Sequence, residues 1–337
     1  METAYPGGMT TGTPGFQTLL PDQIIDCVES TGLACDGDLL ALNSYENRVY
    51  RVGTGGEQRI VVKFYRPSRW SDEAIREEHA FAYALEGLDV PIVTPLVFDG
   101  QSLIIRDAFR FAIYPFRPGR WPQLEDEQTL RQLGRLTARM HLAGEQETFR
   151  HRPEIEPISY GYDSRDYLLD NEVIPEDLED AYATLADDLL ESIDDCFDRT
   201  DFARRIRIHG DLHPGNILQD QETLYIVDTD DARTGPAIQD LWMFLSGEPH
   251  EQRLQMEVLL EGYRTFRTFD EQELALIEPL RTLRIMHYAA WLARRWEDPA
   301  FKAAFPWFDS VRYWSEHILT LREQLAAMRE PAFLAYR

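Results

Sequence analysis

Lysine, cysteine and long apolar runs are scarce in this chain of 337 residues. Lysine occurs only as Lys63 and Lys302, so arginine supplies nearly all of the 34 basic residues. A compact ammonium cannot be replaced by a guanidinium fork where one phosphate oxygen must be reached, which makes Lys63 a candidate functional residue. The three cysteines lack metal-ligand spacing, and they fit a reducing compartment without a disulfide framework.

The shortage of apolar runs and of positive charge restricts the possible partners. The longest near-apolar stretch, Ile285–Ala293, contains His287 and is too short to span a bilayer. The N-terminus has no basic region followed by an apolar run. A formal net charge of −25 argues against binding nucleic acid or an anionic membrane, and it weakly favours cationic partners. We therefore expect a cytoplasmic protein with no nucleic-acid or membrane partner.

A polar loop between two apolar runs, Ile208–Leu218, carries the strongest pattern in the sequence. It contains Asp211 and, five residues later, Asn216, and Asp228 follows at the distance of a β-hairpin. Phosphoryl transfer needs one carboxylate at the acceptor hydroxyl, together with an amide and a second carboxylate that hold Mg²⁺ on the nucleotide phosphates. The alternative is a polar turn between two strands, but His209 and the other spaced residues coincide too well for it.

Residues Leu39–Phe64 are predicted to form a three-stranded meander with turns at both ends of the middle strand. Ser44 lies in the first turn, where its hydroxyl and N–H could meet a nucleotide phosphate. This turn has no glycine and so departs from a Gly-rich phosphate loop. An ordinary Asn/Ser turn is the alternative for this position.

Lys63 ends the third predicted strand, and a helix is predicted to begin at Ser71–Glu73. A strand lysine paired with a helix glutamate holds its ammonium over the phosphates of a nucleotide. Glu77 and Glu78 both lie in the middle of this helix and are the candidates for the pair. A solvated surface ion pair is the alternative.

The middle of the chain predicts further strands and then a change to helices. Residues 90–98 and 102–105 are predicted strands, and the apolar strand Phe111–Phe116 runs into a Pro/Gly break at Arg117–Gly119. This break suits a hinge between two lobes, where adenine could bond exposed backbone, or else a simple strand end.

Beyond the break, the periodicity predicts mainly helices. The predicted helices are one that ends at His141, two or three within residues 145–200, and further helices at 251–264, 270–296 and 309–328. His141 is interpreted as a packed or capping residue rather than a catalyst. The aromatic segment Trp291–Trp307 is either core or, near Arg295 and Trp296, a wall of the acceptor site.

These residues resemble a known family. The matching segments are Leu42–Tyr50, Val61–Pro67, His209–Asn216, Val227–Asp228, Gly235–Met243 and Trp291–Trp307. They resemble the stress response kinase A family of bacterial Ser/Thr protein kinases, within the aminoglycoside phosphotransferase and choline kinase-like superfamily. The resemblance covers nearly the whole chain, from about Phe16 to Pro331.

The resemblance implies roles for individual residues. The residue matching Asp211 is the proton acceptor, and those matching Asn216 and Asp228 bind Mg²⁺. Ser44 matches a serine at the ATP site. These roles agree with the chemistry that the spacing of the polar loop indicates.

The resemblance also bears on the lysine of the third predicted strand. Lys63 matches the phosphate-contacting lysine of the wider superfamily. Of the two helix glutamates that could pair with it, Glu78 fits the superfamily spacing to Leu85 better than Glu77 does. The expected pair is therefore Lys63 with Glu78.

A further implied role is structural. In the superfamily, the Asp-Leu pair that matches Asp240 and Leu241 supports the catalytic loop. A carboxylate at the start of a buried helix can accept backbone N–H bonds and hold that loop in register. We expect Asp240 to be buried and not catalytic.

The expected fold is α+β, a two-lobe protein-kinase-like fold with a small antiparallel-sheet N-lobe and a mainly helical C-lobe. The predicted divisions are a flexible tail at residues 1–15, a nucleotide-binding N-lobe at 16–117, and a catalytic and substrate-binding C-lobe at 118–337.

The expected function is an ATP- and Mg²⁺-dependent Ser/Thr protein kinase of the stress response, a monomer that acts on protein substrates. One alternative is a small-molecule kinase for a cationic hydroxyl acceptor of the amino sugar or choline type. The other is a nucleotide-binding pseudokinase. The sequence argues against it, because it keeps all four of the expected site residues, Lys63, Asp211, Asn216 and Asp228.

Overall fold

The computed structural model describes Phe16 and residues 19–56, 58–200 and 204–329 of the chain. The predicted tail, residues 1–15, lies outside the described residues. The described chain divides into two compact units. The first unit holds the described residues up to His79 together with Val93–Arg117, and the second holds Ala80–Ile92 and the described residues from Pro118 onward.

The first unit is built on one antiparallel sheet. Its strands are β1 (Leu39–Ala41), β2 (Arg48–Gly53), β3 (Arg59–Phe64), β4 (Ile104–Arg106) and β5 (Phe109–Pro115), in the order β1-β2-β3-β5-β4. The preceding helix, α1 (Pro21–Glu29), buries Ile24 and Val28 in one apolar cluster with Val62 and Phe64 of β3. The predicted antiparallel sheet is therefore confirmed.

The predicted strand at residues 90–98 is wrong. This segment instead makes isolated backbone bridges, one of them between Ile92 and Ile226. Pro91 and Pro95 interrupt it, and because proline has no N–H it cannot donate to a strand ladder. The next predicted strand is present as β4.

Helix α2 (Asp72–Gly87) begins where the sequence predicts it. The Ser71 hydroxyl accepts a hydrogen bond from the backbone N–H three residues later at 3.1 Å, which satisfies one of the free donors of the first turn. Its predicted apolar residues are all fully buried: Ile75, Phe81 and Leu85. The amphipathic pattern therefore identified this helix correctly.

The second unit is mainly helical. Its helices are α3 (Glu127–Gly144), α4 (Asp163–Asp170), α5 (Glu176–Arg199), α6 (Gln239–Trp242), α7 (Pro249–Tyr263), α8 (Ile277–Arg294), α9 (Pro299–Ala304) and α10 (Val311–Arg329). Two small antiparallel ladders complete it, β6 (Ile206–Ile208) with β9 (Arg233–Gly235), and β7 (Ile217–Asp220) with β8 (Thr223–Ile226). Across the described residues, the helices all lack the combined length and hydropathy of a membrane span.

One predicted helix is divided in the structure. Residues 270–296 form a 3₁₀ segment, Glu271–Leu276, followed by α8. Pro279 lies in the first turn of α8, and because it has no N–H it cannot extend a helical ladder backward. This proline explains why the α-helix begins at Ile277 rather than at the predicted residue 270.

Helices α3 and α7 cross at close range, and this crossing supports the strands that carry the candidate site. A Cβ at Gly134 of α3 would overlap the Leu259 carbonyl oxygen, and a Cβ at Gly262 of α7 would overlap the Arg131 carbonyl oxygen. Only glycine permits such an approach of two helix backbones. The same packing continues through an apolar cluster that includes Ile226 of β8.

Candidate active site

The loop of residues 209–216 connects β6 to β7 and carries two predicted site residues, Asp211 and Asn216. Gly210 has a φ of +81°, a conformation that side chains rarely adopt. A Cβ at this glycine would also lie 2.5 Å from the Asp231 carbonyl oxygen. The loop therefore needs glycine at this position both for its turn and for its contact with the next loop.

The Asp211 side chain is held from three directions. The Asn216 side-chain amide donates to the Asp211 backbone carbonyl oxygen at 2.8 Å and to Asp211 Oδ2 at 3.5 Å. His213 Nε2 lies 3.5 Å from Asp211 Oδ2, and Arg284 Nη1 lies 2.7 Å from Asp211 Oδ1. Burial would raise the pKa of the Asp211 carboxyl, but Arg284 and His213 outweigh it and lower that pKa below its ordinary value. Asp211 is therefore ionised at neutral pH, as a proton acceptor must be.

The hairpin of β7 and β8 brings Asn216 and Asp228 to the same end. The Val227 N–H donates to the Asn216 carbonyl oxygen at 3.0 Å, and Asp228 follows directly with a φ of +57°. His209 links this end to Asp211. Its Nδ1 accepts the Asp211 N–H at 3.3 Å, so Nε2 carries the hydrogen and donates to the Val227 carbonyl oxygen at 3.0 Å.

Asn216 and Asp228 fit a magnesium ion chemically. The Asn216 amide nitrogen is engaged by Asp211, which leaves the amide oxygen as its ligand atom. An amide oxygen and a carboxylate are the hard ligands that Mg²⁺ takes, and it normally keeps waters and phosphate oxygens besides. Within the described residues, no cluster of three or more His, Cys, Asp or Glu side chains could hold a metal ion. A metal at this hairpin would therefore take most of its ligands from phosphates and water.

Asp240, at the start of α6, is fully buried beneath the catalytic loop. Its carboxylate accepts the His209 N–H at 2.8 Å and the Gly210 N–H at 2.9 Å. His141 Nε2 lies 3.1 Å from the same carboxylate, and His141 Nδ1 lies 2.8 Å from the Tyr263 hydroxyl. The predictions of a buried, supporting Asp240 and of a packed His141 are therefore confirmed.

Two buried arginines hold the segment that follows Asp228, and the sequence did not predict them. Arg152 donates to two carbonyl oxygens of this segment, including that of Ala232 at 2.7 Å. Arg233 donates to the Asp231 carbonyl oxygen at 2.7 Å and to the Asp231 carboxylate at 2.5 Å. A planar fork with several donors suits such multiple contacts better than an ammonium does.

In the first unit, the predicted pair of Lys63 and Glu78 is present. Lys63 Nζ lies 3.7 Å from Glu78 Oε1, and the two side chains are 6% and 1% exposed. Glu77, the other candidate, is only half-buried. Because both partners are buried, the alternative of a solvated surface pair is wrong. The contact of this pair with phosphates remains a prediction.

Ser44 lies in the loop between β1 and β2, and this loop is tied to the end of β3. The Asn47 side-chain oxygen accepts the Arg66 N–H at 3.1 Å, and Arg66 Nε donates to the Glu46 carbonyl oxygen at 2.8 Å. Ser44 itself is half-buried. The loop therefore has a defined shape without glycine, which is compatible with the predicted phosphate contact.

Two rings of the aromatic segment Trp291–Trp307 pack on phenylalanines of the same unit. The ring of Trp291 lies 5.0 Å from that of Phe301, and the ring of Trp296 lies 5.0 Å from that of Phe308. These contacts favour the core alternative over a wall of the acceptor site. The arginine that reaches Asp211 is Arg284 of α8, which no local motif distinguishes from the many other arginines.

Comparisons with known proteins identify the family of this chain. The model of the phosphotransferase enzyme family matches residues 38–277. The chain belongs to this family, and it is a phosphotransferase.

Similarity to individual proteins shows which group within this family the chain belongs to. The chain is 44% identical over 316 residues to stress response kinase A of Salmonella choleraesuis strain SC-B67, a match that covers 94% of this chain and 95% of that protein. The serine/threonine protein kinase RdoA of Salmonella typhimurium strain LT2 matches with the same identity and coverage. The predicted membership of the stress response kinase A family is confirmed.

A solved structure confirms the fold. Amicoumacin kinase hAmiN, in complex with AMP-PNP and Ca²⁺, superimposes with a TM-score of 0.68 at 20% sequence identity. The match covers 92% of this chain and 93% of that one. The predicted α+β kinase-like fold is therefore present.

Replacing Asp240 by Asn tests the support of the catalytic loop. The amide would turn a donor toward N–H groups that now meet a carboxylate, so we expect a loss of about 3 kcal/mol in the free energy of unfolding. Turnover should fall as well, because the loop loses its register. Urea unfolding and initial rates measure the two effects. Asp188→Asn, on an exposed face of α5, is the control, and equal stability of both variants would contradict the assignment.

Replacing Lys63 by Arg tests the need for a compact ammonium. The larger guanidinium does not fit the buried position beside Glu78, and a shift of about 1 Å at a reacting group can cost about 100-fold in rate. We expect a loss of that order in kcat/KM, measured with ATP as the varied substrate.

The second lysine of the chain supplies the matched control for this experiment. Lys302 is 51% exposed and lies 3.9 Å from Glu297, so Lys302→Arg makes the same chemical change at a surface pair. This variant should keep the natural rate. Near-normal kinetics in both variants would show that Lys63 has no special role.

Proposed function

We propose that the protein is an ATP- and Mg²⁺-dependent Ser/Thr protein kinase of the stress response. The observation that carries the proposal is the environment of Asp211. Its ionised carboxylate is set between Arg284 and His213, and its carbonyl oxygen is bonded by Asn216. The names of the relatives, stress response kinase A and serine/threonine protein kinase RdoA, support the acceptor class and the role.

In this proposal, Asp211 accepts the proton of a Ser or Thr hydroxyl as the hydroxyl oxygen bonds to the γ-phosphorus of ATP. The bond between that phosphorus and the β–γ bridging oxygen breaks, and ADP leaves. Asn216 and Asp228 would hold Mg²⁺, and a bound Mg²⁺ would neutralise charge on the nucleotide phosphates. Lys63 contacts the phosphates and Glu78 orients its ammonium. Ser44 belongs to the ATP site.

The cellular setting is also part of the proposal. The described cysteines, Cys27, Cys35 and Cys196, are free thiols. Burial raises the pKa of each thiol, that of Cys27 to about 11, so none of them is readily ionised. These properties support the proposed location in the reducing cytoplasm. The proposal further takes the protein to act as a monomer on protein substrates.

The experiment that tests the proposed function follows labelled phosphate from ATP to acceptors. Purified protein is incubated with labelled ATP and either a dephosphorylated cell extract or a panel of amino sugars and choline-like alcohols. We expect label in protein Ser and Thr, and none with Asp211→Asn, which removes the base but keeps the shape. Label in the cationic small molecules alone would support the amino sugar or choline alternative, and no turnover above the Asp211→Asn control would support a pseudokinase.

Replacing Asp228 by Ala tests the metal site. Without its carboxylate, Asn216 alone cannot retain Mg²⁺, so we expect turnover to be abolished and the Mg²⁺-dependent part of ATP affinity to disappear. Calorimetric titration of ATP with and without Mg²⁺ measures the second effect independently of turnover. A variant that binds Mg²⁺-ATP as tightly as the natural protein would contradict the assignment.

A further inference from the structure

Arg284 of α8 is the most unusual neighbour of the proposed proton acceptor. Its Nη1 lies 2.7 Å from Asp211 Oδ1, yet Oδ1 has no partner with hydrogen-bond geometry among the described residues. The Arg284 side chain is 42% exposed. Within the same described part of the chain it has no second ion pair or hydrogen bond. The guanidinium thus forms an ion pair with Asp211 without a well-aligned hydrogen bond. Most of its five N–H donors can therefore bind another group.

The two oxygens of Asp211 differ in their surroundings. Oδ2 has His213 Nε2 and the Asn216 amide nitrogen each at 3.5 Å, whereas Oδ1 has only the misaligned contact with Arg284 among the described residues. A hydroxyl that gives its proton to Asp211 therefore approaches Oδ1. Atoms next to that hydroxyl in the acceptor then lie against Arg284.

Two neighbouring titratable groups, Asp231 and His287, do not supply a site for a cation. Asp231, the acidic neighbour, is paired with Arg233 at 2.5 Å. The Arg233 guanidinium lies 5.2 Å from the ring of Tyr160, and that ring is tilted by 30° against the ring of His287, with 4.4 Å between the ring centres. Burial lowers the pKa of His287 to about 3, so this histidine is neutral at pH 7. Arg284 therefore places a partly exposed positive charge directly beside Asp211.

We propose that Arg284 determines acceptor specificity by binding an acidic side chain of the substrate next to the phosphorylated Ser or Thr. A guanidinium with several available donors recognises a carboxylate through two parallel hydrogen bonds. The same charge disfavours acceptors with a cation near the hydroxyl. The inference rests on the proposed function and names its substrate class, proteins whose acceptor residue has Asp or Glu beside it.

The test compares peptides that differ in one charge. Each peptide has a single Ser, and Asp, Ala or Lys replaces one residue at each of the three positions on either side in turn. The ratio of kcat/KM for the best Asp peptide to that for its Lys counterpart is the readout. We expect a ratio of about 10 or more for the natural protein, as for a contact between close charges. If Arg284 served folding alone, its replacement would change kcat/KM by the same factor for all peptides and leave this ratio unchanged.

Arg284→Glu should reverse the preference, so that the ratio falls below 1. Arg284→Gln removes the charge with less disturbance of Asp211, and its ratio should approach 1. The control is Arg312→Glu, the same charge change at a residue of α10 that is 86% exposed. This control should keep the ratio of the natural protein.

The outcomes separate this inference from the function on which it rests. If peptides are phosphorylated but the natural ratio is 1 or less, or if both Arg284 variants keep the natural ratio, the specificity role is overturned and the protein-kinase function stands. If only small molecules are phosphorylated, the protein-kinase function fails and the inference falls with it. If both Arg284 variants fold but phosphorylate no peptide, Arg284 serves turnover itself, and the specificity assignment is again overturned.

Discussion

The loop of residues 209–216, which carries the proposed base, depends on the hydrogen bonds that it makes to the buried carboxylate of Asp240. A buried carboxylate is very unfavourable unless hydrogen bonds replace its water, and here the N–H groups of His209 and Gly210 and the ring of His141 do so. These bonds determine where His209 lies. His209 in turn reaches the Val227 carbonyl oxygen, next to Asp228. One buried charge thus positions both the loop of the proposed base and the hairpin of the proposed metal ligands.

Around this centre, arginine supplies the positive charge. Arg152 and Arg233 each satisfy several oxygens of the segment after Asp228, which a single ammonium could not do with the same geometry. Arg284 differs, because it is partly exposed and, among the described residues, meets only Asp211. Two of these arginines are therefore buried and bind several oxygens each, whereas the third, Arg284, is a partly exposed charge. The difference comes from burial and the number of partners, not from the side chain.

The sequence predicted the parts of the site that depend on local spacing. The loop of Asp211 and Asn216 and the hairpin to Asp228 are encoded within about twenty residues, and alternation and capping identified β3 and α2, which carry Lys63 and Glu78. The choice of Glu78 over Glu77 came from the family resemblance. The supporting role of Asp240 was predicted from the family resemblance. Contacts between distant residues could not be found in this way. Arg152 meets Ala232, eighty residues later, and nothing in its local sequence marks it.

Arg284 likewise is one of many arginines, and only the packing of α8 brings it to Asp211. The failed strand at residues 90–98 has another cause. Its apolar residues suggested a ladder, but two prolines removed donors that a ladder requires.

The scarcity of lysine has a consequence for covalent regulation. Acetylation and related acylations act on the amine of lysine and remove its charge, whereas arginine keeps its charge in the presence of the same reagents. This chain offers such reagents only two side-chain amines, and that of Lys63 is buried against Glu78. Its ion pairs, nearly all of them made by arginine, are therefore insensitive to metabolic acylation, and Lys302 is the one exposed lysine that such chemistry can modify.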